Sequence, residues 1–127
     1  MRRREPPRPT ATELDILRVL WERGPSTVRE VHEVLAKSKD MGYTTVLKLL
    51  QIMTVKGMVK RDENARAHVY EARQPAENTK RQLVGDLLQR AFAGSASQLM
   101  LHALSSKKTP REEIEEIRRM LDAYEEK

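Results

Sequence analysis

Cysteine is absent from this 127-residue chain, which excludes a disulfide framework, a thiolate metal site and thiol redox chemistry. Aromatic residues make up 4%, with one Phe and one Trp, too few to build the stacking platforms that hold single-stranded nucleic acid. No apolar run exceeds three residues, as at Val19-Leu20-Trp21. That argues against a membrane-spanning helix or the apolar segment of a secretory signal, so a cytoplasmic protein is expected. What is abundant is charge: 34% of residues are Asp, Glu, Lys or Arg, a composition suited to a helix-rich protein of one small domain with an appendage.

The charge is uneven. Residues 1–75 carry 15 basic and 10 acidic side chains, a net of +5, whereas residues 76–127 carry 9 of each. A polyanionic partner is therefore expected to meet the first part of the chain.

Residues 1–9 hold four arginines and three prolines and read as a flexible basic arm. Thr10 and Glu13 then form a T-x-x-E capping box, and Leu14, Leu17, Leu20 and Trp21 recur at helical spacing. The first helix is expected over Ala11–Arg23, ending at Gly24-Pro25. Thr27 and Glu30 open a second helix, with Val28, Val31, Val34 and Leu35 on one face and an end near Lys37. A third helix is expected from Thr44 or Thr45 to Gly57, burying Val46, Leu49, Leu50 and Met53. The period then changes to alternation over 58–62 and 68–72 around a polar turn, which predicts a β-hairpin. Three short helices followed by a hairpin is a winged helix-turn-helix, expected over residues 10–75.

Residues 76–127 read as a helical region. A helix over Glu77–Ala93 displays Leu83, Leu87, Leu88 and Phe92, and a shorter one carries Leu99 and Leu101. Thr109-Pro110-Arg111-Glu112 reads as a third capping box with Pro at the first helical position, followed by Ile114, Ile117, Leu121 and Tyr124. About 50 residues cannot hide that many large apolar side chains among themselves. These positions are expected to form a homodimer interface, the alternative being that the helices fold back onto the first domain.

Nothing resembles a catalytic constellation: there is no phosphate-binding Gly loop and no nucleophile elbow. His32, His68 and His102 fall on separate elements without partners at ligand spacing, so neither a metal nor another cofactor is expected. Nucleic-acid binding fares better. The outer face of the third helix presents Thr44, Thr45, Lys48 and Gln51, with Val55 further on; Thr, Lys and Gln hydrogen-bond to base edges or phosphates. Lys56, Lys60, Arg61 and Arg66 cluster at the helix end and in the hairpin, suited to backbone phosphates. Leu47 and Ile52 flank that face, either packing inward or touching thymine methyl groups. The competing reading is a winged-helix module that docks protein without specific DNA binding.

The ordered set of motifs resembles the penicillinase-repressor family of bacterial transcription regulators (BlaI/MecI/CopY) across residues 10–125. It rests on Thr12-Glu13-Leu14-Asp15-Ile16-Leu17 with Trp21, on Thr27-Val28-Arg29-Glu30-Val31 and on Tyr43-Thr44-Thr45-Val46-Leu47. It continues through Lys56-Gly57-Met58-Val59-Lys60-Arg61, the wing segment His68-Val69-Tyr70, Phe92-Ala93-Gly94-Ser95 and Glu113-Ile114-Glu115-Glu116-Ile117-Arg118. The resemblance implies a homodimeric repressor on a palindromic DNA operator, with Thr44, Thr45, Lys48 and Arg66 as leading contacts. Three departures bear on regulation. The Asn-Phe dipeptide cleaved in β-lactam signalling is matched by His102-Ala103, the cysteines of the copper branch are absent, and Ile52 stands where Arg is common. The resemblance therefore leaves the inducing signal and any regulatory protease open.

Overall fold

A computed structural model describes residues 7–64 and 66–126. Residues 1–6 of the expected arm lie outside the described residues. Pro7, exposed, and Pro9, half-buried, line a small crevice with Leu17, Gly57, Met58 and Thr79.

The order of elements is α1 (Ala11–Arg23), β1 (Ser26–Thr27), α2 (Val28–Leu35), α3 (Tyr43–Lys56), β2 (Val59–Asp62), β3 (Val69–Ala72), α4 (Ala76–Arg90), α5 (Ala96–Ser105) and α6 (Arg111–Glu125). Both early capping boxes form. The Thr10 hydroxyl accepts from the Glu13 amide at 3.2 Å while the Glu13 carboxylate accepts from the Thr10 amide at 2.9 Å. Thr27 and Glu30 repeat that exchange at the start of α2. Each box satisfies two of the amides that a helix start leaves without partners.

The expected hairpin is present as β2 and β3, paired antiparallel from Val59↔Ala72 to Asp62↔Val69. A third strand joins it. β1 pairs with β3 through Ser26↔Tyr70 and Thr27↔Val69, giving the order β1-β3-β2. This strand was not legible in sequence, because two residues have no period and Thr27 also serves as the cap of α2.

The core is built where α1, α2 and α3 meet this sheet. Ile16, Val31, Val46, Leu50 and Met53 are fully buried, and Val59 and Tyr70 close the sheet side. Leu49, expected in the buried stripe, is only half-buried against this cluster, and so is Leu47. Gly57 ends α3 in the left-handed region (φ 83°), where its amide satisfies the carbonyls of Met53 and Thr54. The chain thus turns at once into β2.

The chain divides into two compact units, Met1–Leu83 and Val84–Lys127. The division falls within α4, eight residues beyond the expected boundary at 75/76. The reason lies in what α4's first turns touch. Thr79 is buried, Leu83 lines a cleft with Leu14 and Trp21, and Trp21 Nε1 donates to the Gln74 carbonyl at 3.0 Å.

In the second unit α4 ends at Arg90 rather than Ala93, since Ala93 and Gly94 both adopt positive φ. The expected capping box at α6 does not form: Pro110 itself is the cap. Thr109 instead donates its hydroxyl to the Leu104 carbonyl at 3.2 Å. No residue of α5 or α6 is buried.

Candidate nucleic-acid interface

Helix α3 is anchored by one face, and its periodicity dictates what the other presents. With Val46, Leu50 and Met53 inward at spacings of four and three, Thr44, Lys48, Gln51 and Val55 align as an outward column, flanked by Thr45 and Ile52. All six are exposed, Val55 by 89% and Ile52 by 39%. At about 1.5 Å per residue the column runs about 16 Å along the helix, a length that fits a major groove. Tyr43 opens the helix, itself exposed, with its ring set edge-on to His32 of α2 at 6.0 Å between centroids.

The basic residues divide into two groups. Among the described residues Lys48 and Arg66 form no ion pair, and both are exposed, Lys48 mid-helix and Arg66 in the turn between β2 and β3. Lys60 pairs across the hairpin with Glu71 at 2.8 Å. Arg61 takes the Tyr70 hydroxyl and the Glu63 carboxylate as partners, and together they favour its charged form. Both side chains remain at the sheet surface, partly neutralised by these neighbours.

Lys56 is placed differently from the sequence expectation. Its ammonium donates to both carboxylate oxygens of Glu13, at 2.9 and 3.2 Å, and Glu13 is only 2% exposed. Burial alone would raise the Glu13 carboxyl, but the Thr10 amide and the Lys56 ammonium outweigh it, and the group lies below the ordinary carboxylate value. Lys56 is thus committed to holding the last turn of α3 against the first turn of α1. A pairing across 43 residues leaves no local sequence signal.

The expected interface residues of the second region also separate. Leu83 belongs to the first unit and faces α1. Phe92 packs its ring against His102 at 5.5 Å, and Leu88, Leu99, Ile114 and Ile117 are half-buried. Leu87, Leu101, Leu121 and Tyr124 are 50 to 75% exposed, and Val84 and Met120 are each 51% exposed. Among the described residues no three His, Asp or Glu side chains gather as a metal site, and no helix is long and apolar enough to cross a membrane.

A family model described as penicillinase repressor matches residues 9–123. The chain belongs to the penicillinase repressor family. With that family it is a DNA-binding transcriptional repressor. It is 33% identical over 108 residues to the transcriptional regulator BlaI of Mycobacterium tuberculosis, covering 84% of this chain and 77% of that one. It is 21% identical over 110 residues to the penicillinase repressor of Staphylococcus aureus, covering 87% of each. Among solved structures, the monomeric form of Bacillus licheniformis BlaI in complex with the blaP half-operator superposes with a TM-score of 0.52 at 22% identity, covering 58% of this chain and 90% of that one. The DNA-binding domain of the repressor BlaI gives 0.52 at 21%, covering 60% and 93%. These two likenesses establish the winged-helix fold of the repressor's first unit.

Proposed function

We propose that this repressor acts as a homodimer on a palindromic operator, each α3 entering one major groove. The observation that carries the reading is the outward column of α3, whose polar members Thr44, Lys48 and Gln51 are exposed while the opposite face is fully buried. The Gln51 amide can pair its donor and acceptor with an adenine edge, Thr hydroxyls donate or accept singly, and Lys48 reaches guanine or a phosphate. Thr45 flanks the column. Arg66 at the hairpin tip, with Lys60 and Arg61 behind it, serves the adjacent backbone as a wing. Lys56 contributes by fixing α3 rather than by touching phosphate.

Dimerisation is supported by the apolar faces of the second unit. Leu101, Leu121 and Tyr124 are more than half exposed, a cost that a two-fold partner removes by burial. Two-fold symmetry then places half-sites at multiples of about 34 Å, one helical turn. Acting on operator DNA, the repressor works in the cytoplasm.

The test is selection of tight binders from a randomised duplex pool with the full chain, followed by sequencing. The expected result is a motif with two-fold symmetry whose affinity falls linearly in log–log with salt. A motif without symmetry would remove the dimer. No enrichment by folded protein would hand the surface to a protein partner.

A further inference from the structure

We infer that Val55, with Ile52 beside it, is a specificity-determining residue that reads a thymine 5-methyl group, so that each half-site requires a T there. This rests on the reading of α3 as the groove-entering helix and names what its second half recognises.

The outer face of α3 changes character along its length. Its first three turns offer Thr44, Thr45, Lys48 and Gln51, all able to donate or accept hydrogen bonds. Beyond Gln51 the same face offers Ile52 and Val55, which can do neither, while Lys56 in the last turn is held by Glu13. Val55 is the more telling of the pair: 89% exposed, it is more open than any other large apolar residue described. Nothing in the first unit covers it, although the helix has an apolar seat on its opposite face. The polar neighbour Thr54 turns away, its hydroxyl donating to the Leu50 carbonyl at 2.8 Å. Ile52, three residues back, is 39% exposed, and the two side chains form one contiguous apolar step.

Chemistry then selects the occupant. In a major groove the N7, O6, N6, N4 and O4 atoms of the base edges are polar, and a valine set against them strips water without replacing its hydrogen bonds. The thymine C5-methyl is the apolar surface among the four bases. A β-branched side chain has little rotamer freedom to lose, so such a contact orders almost nothing. Along the helix axis Val55 stands eleven residues from Thr44, about 16 Å, which puts the methyl contact at the far end of the reading surface from the one made by Thr44.

The experiment uses the operator selected as above and the full chain. Each T is replaced singly by deoxyuridine, which deletes the methyl and leaves every hydrogen-bonding atom in place. One position per half-site is expected to weaken wild-type binding about fourfold, and about 15-fold when both half-sites are changed, the value of one methyl returned to water. Cytosine at that position is expected to bind weakly and 5-methylcytosine to regain part of the loss. Val55→Ala, at an exposed position that does not carry the fold, is expected to lose most of the difference between T and deoxyuridine operators. Ile52→Ala should narrow the difference. If deoxyuridine is tolerated at every T, or if Val55→Ala keeps the wild-type sensitivity, the inference fails while the reading of α3 stands. If no operator is enriched at all, the reading of α3 fails and the inference with it.

Discussion

The Glu13–Lys56 pair makes a sharp prediction, because its two members differ in burial. Glu13 is 2% exposed whereas the Lys56 side chain is 39% exposed. Replacing Lys56 by Met keeps the apolar stem but leaves a carboxylate without a counter-charge in the interior, which costs about 3–5 kcal/mol. Replacing Glu13 by Gln keeps an acceptor for the Thr10 amide and leaves the survivor, Lys56, free to turn to water. That loss is about 1–2 kcal/mol, the difference between a charged and a neutral hydrogen bond. The double variant is expected near the Glu13→Gln value alone, a coupling equal to the Lys56→Met cost of about 3–5 kcal/mol. Against a typical domain stability of about 5–15 kcal/mol these are large effects. They are measured by urea titration at pH 7 and fixed protomer concentration, following the fluorescence of Trp21, the only tryptophan. The pH dependence adds a second readout. The folded Glu13 carboxyl lies below its ordinary value, so its contribution is present above about pH 4.5 and is lost as pH falls through the folded value. Wild type should therefore converge on Glu13→Gln in acid. Lys56→Met loses the ammonium's share of that lowering while the Thr10 amide keeps its own, so its deficit relative to wild type should shrink as pH falls and the carboxyl is protonated in both. A Lys56→Met variant no less stable than Glu13→Gln would refute the reasoning.

Three further outcomes follow from the same structure. Lys48→Ala is expected to weaken operator binding by about 1–3 kcal/mol in a gel-shift titration, the range of a good base contact, without lowering the melting temperature. Leu121, 59% exposed in the single chain, lies on the face proposed for dimerisation, so Leu121→Asp should leave the chain folded by circular dichroism while sedimentation shows the proposed dimer dissociated at micromolar concentration. Gly57→Ala should cost about 1–2 kcal/mol in urea titration: nothing lies within 4 Å of an added Cβ, so the penalty is the left-handed φ of 83° alone.

Much of the repressor was legible from local pattern. Ala11–Arg23 was bounded to the residue, because a capping box and a Gly-Pro stop are both written into adjacent positions. The outward set of α3 followed from its buried stripe, since a helix of known period cannot bury Val46, Leu50 and Met53 without presenting Thr44, Lys48 and Gln51. The third capping box shows where such reading stops. Thr109 and Glu112 have the right spacing, yet Pro110 takes the cap and the Thr109 hydroxyl turns back to Leu104, a choice made by the preceding turn.

Sequence alone thus determined the helices, the hairpin, the sign and placement of charge and the outward face of α3 proposed to meet DNA, all properties of residues a few positions apart. Tertiary structure decided the rest. It made a strand of Ser26–Thr27 only because β3 offered an edge 43 residues later, and it put the unit boundary inside α4 because Trp21 and Leu14 hold its first turns. It also turned Lys56 from an apparent phosphate contact into the counter-ion of Glu13. Pairing between distant residues is set by which surfaces the packed core brings together, and hydrophobic period does not encode it.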